Sequence, residues 1–332
     1  MREPDFWYRP ASWKSHLLWP LGALYGVIAG RRLRKRGVEA GIPVLCVGNY
    51  HGGGAGKTPT VLALAKLLRE LGETPVVLSR GYGGTLHGPV RVDPARHSAA
   101  DVGDEPLMLA NTLPVVVARD RVAGAALAKS AGASVIVMDD GFQNPAVAKD
   151  ASLIVIDSER GLGNGRVIPA GPLRAPLRLQ VERTDALVVI GEGGAADDVA
   201  GEVAARGKPV LRARFVAEET SLAALRGKRA LAFAGIGDPL RFFKTLAANG
   251  VEVVRGRTFA DHHAFAPRQI EALLAEARRD GLVPVTTEKD LVRLPAGAAD
   301  VVPFKVTLAF DGADGLRRFV SDQLFKAREK RF

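Results

Sequence analysis

Between the apolar run Ile42–Val47 and a segment with helical spacing, Val61–Leu71, the chain reads Gly48-Asn49-Tyr50-His51-Gly52-Gly53-Gly54-Ala55-Gly56-Lys57-Thr58. Strand, glycine-rich loop and helix in this order make a phosphate-binding Walker A loop. Glycines let backbone N–H groups curl around a phosphate, and the helix N-terminus adds positive potential. Gly53, Gly54, Ala55 and Gly56 form the cradle, Lys57 reaches the β- and γ-phosphates, and the Thr58 hydroxyl is placed for Mg²⁺. His51 stands where the spacing puts the first glycine, but the three glycines after it keep the loop permissive. A second signal agrees. The apolar run Val135–Met138 ends in Asp139 and Asp140, as a Walker B strand does when its carboxylate holds Mg²⁺ directly or through water. The expected ligands are a nucleoside triphosphate and Mg²⁺.

Further short apolar runs lie at Pro75–Leu78, Pro114–Ala118, Leu153–Ile156 and Ala186–Ile190, with helical patterns such as Arg121–Ala131 between several of them. This alternation predicts an α/β fold, a P-loop NTPase-type, mostly parallel sheet with helices on both faces. After about Val210 it restarts: strands at Ala230–Ala234, Val251–Val254 and Val283–Thr286, helices at Pro239–Asn249 and Pro267–Asp280. The expected organisation is an N-terminal membrane-interface helix in 1–36 and a P-loop core domain in 37–212. A smaller α/β domain follows in 213–312, with linker strands at Arg212–Val216 and Phe304–Phe310, and then a basic helix in 313–332.

The net charge of +10 sits at the two ends. Residues 1–36 hold eight Lys/Arg and two acids, residues 317–332 six and two, leaving 32 of each sign between them. That distribution argues against a nucleic-acid-binding surface. The basic cluster Arg31, Arg32, Arg34, Lys35 and Arg36 follows the apolar run Leu17–Gly30, and Trp7, Trp13 and Trp19 lie in or before that run. Tryptophans beside an apolar stretch and a polybasic flank mark a membrane interface. As a helix the run would be about 21 Å long, short of the ~30 Å hydrocarbon core, and it contains Pro20. A helix lying in an anionic interface is expected rather than a span. The single cysteine, Cys46, excludes an internal disulfide and points to a reducing compartment.

A P-loop alone does not separate switch NTPases from kinases. Asp104 and Glu105 open a helical pattern, where acids are favoured in any case. Asp261-His262-His263 lies in the second unit, and a His–carboxylate pair across a cleft is how a base is oriented. Arg174 in Gly171-Pro172-Leu173-Arg174 offers a cation for phosphate charge. Thr287-Glu288-Lys289-Asp290 resembles a guanine-reading loop, but with different spacing.

Taken together, VGNYHGGGAGKTP (47–59), SRGYGG (79–84), DVGDEPLML (101–109), MDDGFQN (138–144), PAGPLRAP (169–176), AFAGIGDPLRFF (232–243), DHHAF (261–265) and VTTEKDLVRL (285–294) resemble the tetraacyldisaccharide 4′-kinase family, the lipid A 4′-kinases of Gram-negative bacteria. The similarity runs in order over nearly the whole chain. It implies ATP-dependent phosphorylation of the 4′ hydroxyl of tetraacyldisaccharide 1-phosphate at the cytoplasmic face of the inner membrane, with peripheral or monotopic attachment. By the resemblance, Asp104 is the base and His262 its dyad partner. Lys57 and Thr58 are the P-loop contacts, Glu105, Asp139 and Asp140 the acidic metal shell, and Gln143 and Arg174 further active-site positions. Neither nucleic acid nor an obligate protein partner is implied. The sequence departs from the family pattern at His51 (usually Ser or Thr), Asn144 (usually His) and Ala175 (usually Glu). The alternative is a P-loop switch NTPase acting on a protein partner, which needs neither the membrane-seeking N-terminus nor Asp104 and His262.

Overall fold

A computed structural model describes residues 3–295 and 297–331. Residues 1, 2 and 332, at the outer ends of the expected terminal segments, and residue 296 lie outside the described residues. Strands β1 (Val44–Gly48), β2 (Pro75–Ser79), β3 (Val90–Arg91), β4 (Val115–Val117), β5 (Val135–Asp139), β6 (Ala151–Asp157), β7 (Ala186–Ile190) and β8 (Val210–Ala217) come first along the chain. They are followed by β9 (Arg229–Ala234), β10 (Glu252–Thr258), β11 (Val283–Thr287), β12 (Val302–Phe304) and β13 (Val306–Phe310). Among the described residues these form a nine-stranded sheet, ordered β13-β8-β7-β6-β1-β5-β2-β4-β3, and a four-stranded sheet, ordered β10-β9-β11-β12.

All pairings in the large sheet are parallel except at its two edges, where β3 and β13 run antiparallel. β1, β2, β5, β6 and β7 are buried along their whole length, which is why they read as unbroken apolar runs rather than alternating ones. β1 lies between β5 and β6. Strand order reverses there, and in open α/β sheets ligands bind at such a switch point, beyond the carboxyl ends of the strands. The register pairs Val47 with Asp139, so the Walker A and Walker B segments leave the sheet side by side.

The interval 213–312 contains the four-stranded parallel sheet, and also the end of β8 and all of β13, which belong to the large sheet. The stretch read as one strand, Phe304–Phe310, is two: β12 ends at Phe304 in the small sheet and β13 starts at Val306 in the large one. Lys305 alone makes the crossing. The C-terminal helix Ala313–Glu329 lays Leu316, Phe319, Val320 and Leu324 into the same apolar cluster as Val61, Leu64 and Leu68 of the P-loop helix Lys57–Glu70. Its basic residues face local acids: Arg317 pairs with Glu70 at 2.9 Å, Arg328 with Glu73 at 2.7 Å and Arg331 with Asp150 at 2.8 Å. Half of the C-terminal positive charge is thus matched within the fold.

The N-terminal helix Trp13–Leu33 is longer than the apolar run alone suggests and has two unlike faces. Gly22, Gly26 and Gly30 are buried against Val167, Ala170, Pro176 and Leu179. Trp13, Leu17, Trp19, Leu21, Leu24, Val27 and Ile28 point outward and are exposed. The small-residue stripe is therefore the seat of the helix on its own chain. Trp7 Nε1 donates to the Pro169 carbonyl at 3.0 Å, fixing the segment ahead of the helix, and Asn164 donates to Ser15 Oγ at 3.0 Å in the first turn. Among the described residues, no helix is long and apolar enough to cross a membrane.

A Cβ at Gly22 would lie 2.7 Å from the Val167 carbonyl oxygen, a backbone atom that cannot step aside. Gly22→Leu should lift the helix from its seat. Tryptic cleavage at Arg31–Arg36 of the native protein is then expected to quicken roughly tenfold or more, because cleavage tracks the locally open population. Wild-type cleavage rates would show that the glycine face does not hold the helix.

Candidate active site

The loop after β1 turns on two glycines in the left-handed region, Gly53 (φ 85°) and Gly56 (φ 89°), the second of which caps the P-loop helix. Gly56 has a further constraint, since a Cβ there would lie 2.5 Å from Ile190. Gly54 faces open space and Ala55 is buried. Lys57 and Thr58 occupy the first turn of the helix. The GPLR segment is stitched to this loop: Arg174 N donates to the Tyr50 carbonyl at 2.9 Å, and His51 bridges Leu173.

Asp140 receives both cations that the sequence assigns to phosphate. Its carboxylate accepts from Arg174 at 2.6 Å and lies 3.8 Å from Lys57 Nζ. Burial works against its charge, but Lys57 and Arg174 outweigh this and hold its pKa at about 2. Gln143 steadies Arg174 by accepting from it at 3.2 Å, while donating to the Asn49 carbonyl at 2.8 Å. Asp139 is different. It is buried, its Oδ2 has a distant Ser79 hydroxyl at 3.4 Å, and its Oδ1 has no hydrogen-bond partner. Burial first, then the charges of Glu105 and Asp140, push its pKa well above the ordinary carboxylate range.

An orphaned carboxylate oxygen, destabilised by neighbouring acids, is the donor chemistry a divalent cation relieves. Among the described residues, no three His, Cys, Asp or Glu side chains form a ready-made metal cage. That is compatible with Mg²⁺, which is commonly held by one or two carboxylates and completed by substrate phosphates and water. The residues present fit the ion.

Asp104 and His262, 158 positions apart, meet across the two sheets with His262 Nδ1 2.9 Å from Asp104 Oδ2. Asp104 opens the helix Asp104–Ala110 after Gly103, and its Oδ1 accepts the Glu105 N–H. Burial raises its pKa, but the His262 hydrogen bond, Lys289 and Arg293 together take it below the ordinary value. His262 has φ 57° and Asp140 φ 49°, so two of the reactive side chains sit on left-handed backbone. Such conformations in non-glycine residues gather at functional sites.

Residues from the small sheet complete the arrangement. Lys289 donates to Glu105 at 3.0 Å. Arg293 lies 3.7 Å from Asp104, pairs with buried Asp290 at 2.5 Å and donates to the Gly235 carbonyl at 3.1 Å. Sequence reasoning quoted VTTEKDLVRL but assigned Lys289, Asp290 and Arg293 no part. The signal was their place in a motif, because spacing cannot reveal a partner 184 residues away.

His51 is fully buried, with Nδ1 against the Gly52 carbonyl and Nε2 unpartnered. Burial lowers its pKa to about 4. The unfolded chain therefore binds a proton near pH 6.5 that the folded protein refuses until about pH 4, so stability falls as pH drops through this window. In urea titrations of the unliganded protein, His51→Asn should flatten the decline between pH 6.5 and 4. An unchanged pH slope would remove His51 as its source.

Comparison with known proteins shows the family to which the chain is similar. The model of the family described as tetraacyldisaccharide-1-P 4′-kinase matches residues 14–324. A tetraacyldisaccharide 4′-kinase of Bradyrhizobium diazoefficiens is 68% identical, with 100% of this chain and 99% of that protein covered. One of Nitrobacter winogradskyi is 66% identical, with 99% of each covered. Among solved structures, LpxK from Aquifex aeolicus, crystallised in complex with ATP, superposes with a TM-score of 0.74 at 26% identity, covering 93% of this chain and 99% of that one.

Proposed function

The chain belongs to the tetraacyldisaccharide-1-P 4′-kinase family, and we propose that its reaction runs in the cleft where Asp104 meets His262. The enzyme is a kinase that uses ATP and Mg²⁺. Its substrate is tetraacyldisaccharide 1-phosphate, phosphorylated at the 4′ hydroxyl in lipid A biosynthesis. The observation that carries the site reading is the 2.9 Å contact between Asp104 and His262, beside the carboxylates of the Walker B segment.

A sugar hydroxyl is a poor nucleophile and must lose its proton as the phosphoryl group arrives. Asp104 accepts that proton. His262 holds the carboxylate in place and shares the charge, and Arg293 braces it from the other side. The 4′ oxygen forms a bond to the γ-phosphorus, the bond to the β,γ-bridging oxygen breaks, and ADP leaves. Backbone N–H groups of Gly53–Gly56 and the Lys57 ammonium hold the phosphates, and Arg174 offsets charge on the transferred group. Asp139, Thr58, Glu105 and Asp140 are the residues to hold Mg²⁺, which when bound neutralises charge on the phosphate oxygens. A nucleotide switch acting on a protein partner would leave the Asp104–His262 pair without a task.

The exposed face of the helix Trp13–Leu33 supports docking to an anionic membrane, at the cytoplasmic face of the inner membrane. Its outward residues are large and apolar. Arg31, Arg32, Arg34, Lys35 and Arg36 follow and are exposed. This is peripheral or monotopic attachment, weakened by salt.

Full-length protein incubated with γ-labelled ATP and the disaccharide 1-phosphate in detergent should transfer label to the lipid. Hydrolysis of ATP with no labelled lipid would overturn the reading. Asp104→Ala should lower kcat by roughly 10²–10⁴ while leaving equilibrium ATP binding intact, and undiminished turnover would take the base role from Asp104. For the membrane, Leu17→Gln with Leu24→Gln should reduce co-sedimentation with anionic vesicles at least roughly tenfold, given about 1.5–3 kcal/mol for each buried leucine. Unaltered partitioning would show that this face is not the docking surface.

A further inference from the structure

Tyr82 is the most exposed tyrosine beside the dyad: 70% of its surface is accessible, yet its ring lies edge-on to His262 with centroids 6.0 Å apart. Its backbone is held firmly. Gly81 (φ 70°) and Gly83 (φ 83°) take conformations that disfavour side chains. A Cβ at Gly84 would lie 2.6 Å from the Asp101 carbonyl oxygen, and one at Gly103 would lie 2.5 Å from the Tyr82 carbonyl oxygen. Thr85 and Leu86 donate to the carbonyls of Ala100 and Asp101, both at 2.9 Å. The loop is thus welded to the turn that presents Asp104, and the aromatic side chain it carries is left uncovered.

Exposing an aromatic ring at a rigid position forgoes its burial, roughly 1.5–3 kcal/mol for a large apolar side chain. A pyranose offers a matching surface, because the C–H groups on one face of the ring are apolar while its hydroxyls point outward. The geometry points to Tyr82 as the platform for the acceptor sugar, the ring carrying the 4′ hydroxyl lying on the tyrosine face with that hydroxyl directed at Asp104. This assignment rests on the kinase reading above and extends it to the sugar-binding subsite. The contact is apolar and aromatic, so it depends on the face of the ring and not on the phenolic hydroxyl. It is made equally in ground and transition states, so its loss raises KM more than it lowers kcat.

The test is steady-state transfer from γ-labelled ATP to the disaccharide 1-phosphate by full-length Tyr82→Ala, Tyr82→Phe and Tyr82→Trp. Tyr82→Ala should raise the KM for the lipid roughly five- to twentyfold, with kcat within about threefold and the KM for ATP unchanged. Tyr82→Phe and Tyr82→Trp should restore the lipid KM. Vesicle co-sedimentation and thermal midpoint of Tyr82→Ala should equal wild type, which separates sugar binding from membrane partitioning and folding. An unchanged lipid KM in Tyr82→Ala overturns the platform, as does a Tyr82→Phe variant impaired to the same extent. A rise in the KM for ATP alone overturns it in favour of a nucleotide role. If wild-type protein itself labels no lipid, it is the kinase reading that fails.

Discussion

The carboxylate of Asp104 joins the two halves of this molecule. It stands at the start of a helix on the large sheet, yet its partners His262 and Arg293 come from loops of the small one. Next to it, Glu105 meets Lys289 in the same way. Asp104 is buried and would be costly to ionise alone. The small unit supplies the partners that favour the charged form of Asp104, and the ammonium that pairs with Glu105. Electrostatic need therefore sets where the small sheet sits, and the same contact makes Asp104 a base with an attached orienting group. Separating the halves would dismantle the dyad and leave two acids beside the Walker B pair with no counter-charge.

Much of this was legible in the sequence. β1, β2, β5, β6 and β7 are buried on both faces and announce themselves as apolar runs. The Walker A loop could be read residue by residue, because backbone geometry demands glycine at Gly53 and Gly56. The meeting of Asp104 with His262 was legible only through family motifs, since local physics says nothing about a contact 158 residues away. Two features were not legible. Arg317, Arg328 and Arg331 looked like surplus charge at a terminus until the fold brought Glu70, Glu73 and Asp150 to them. Gly22, Gly26 and Gly30 are equally suited to pairing helices or to seating one against a loop, and only the three-dimensional neighbours Val167 and Pro176 decide between these.

The two acids of the Walker B segment show how position on one strand divides labour. Asp139 is the last residue of β5 and is buried in the sheet, short of hydrogen bonds. Asp140 is one step further on, turned by its left-handed backbone toward Lys57 and Arg174. One is poised to gain from a cation, the other already has two. Gln143, Asn49 and Tyr50 tie these groups to the phosphate loop, so the cations and the glycine cradle form one connected unit.

The return of β13 and the C-terminal helix to the large sheet bears on the order in which the protein can be finished. β1 begins at residue 44, but the apolar side of the P-loop helix is covered by Leu316, Phe319, Val320 and Leu324. A chain emerging from the ribosome would carry a complete Walker A sequence long before it had the cover for that helix. Contacts spanning such sequence distances form late, because loop closure must precede them. The nucleotide site is synthesised well before the segment that encloses it. Until the helix Ala313–Glu329 has left the tunnel, the nascent protein lacks the packed helix on which phosphate binding depends.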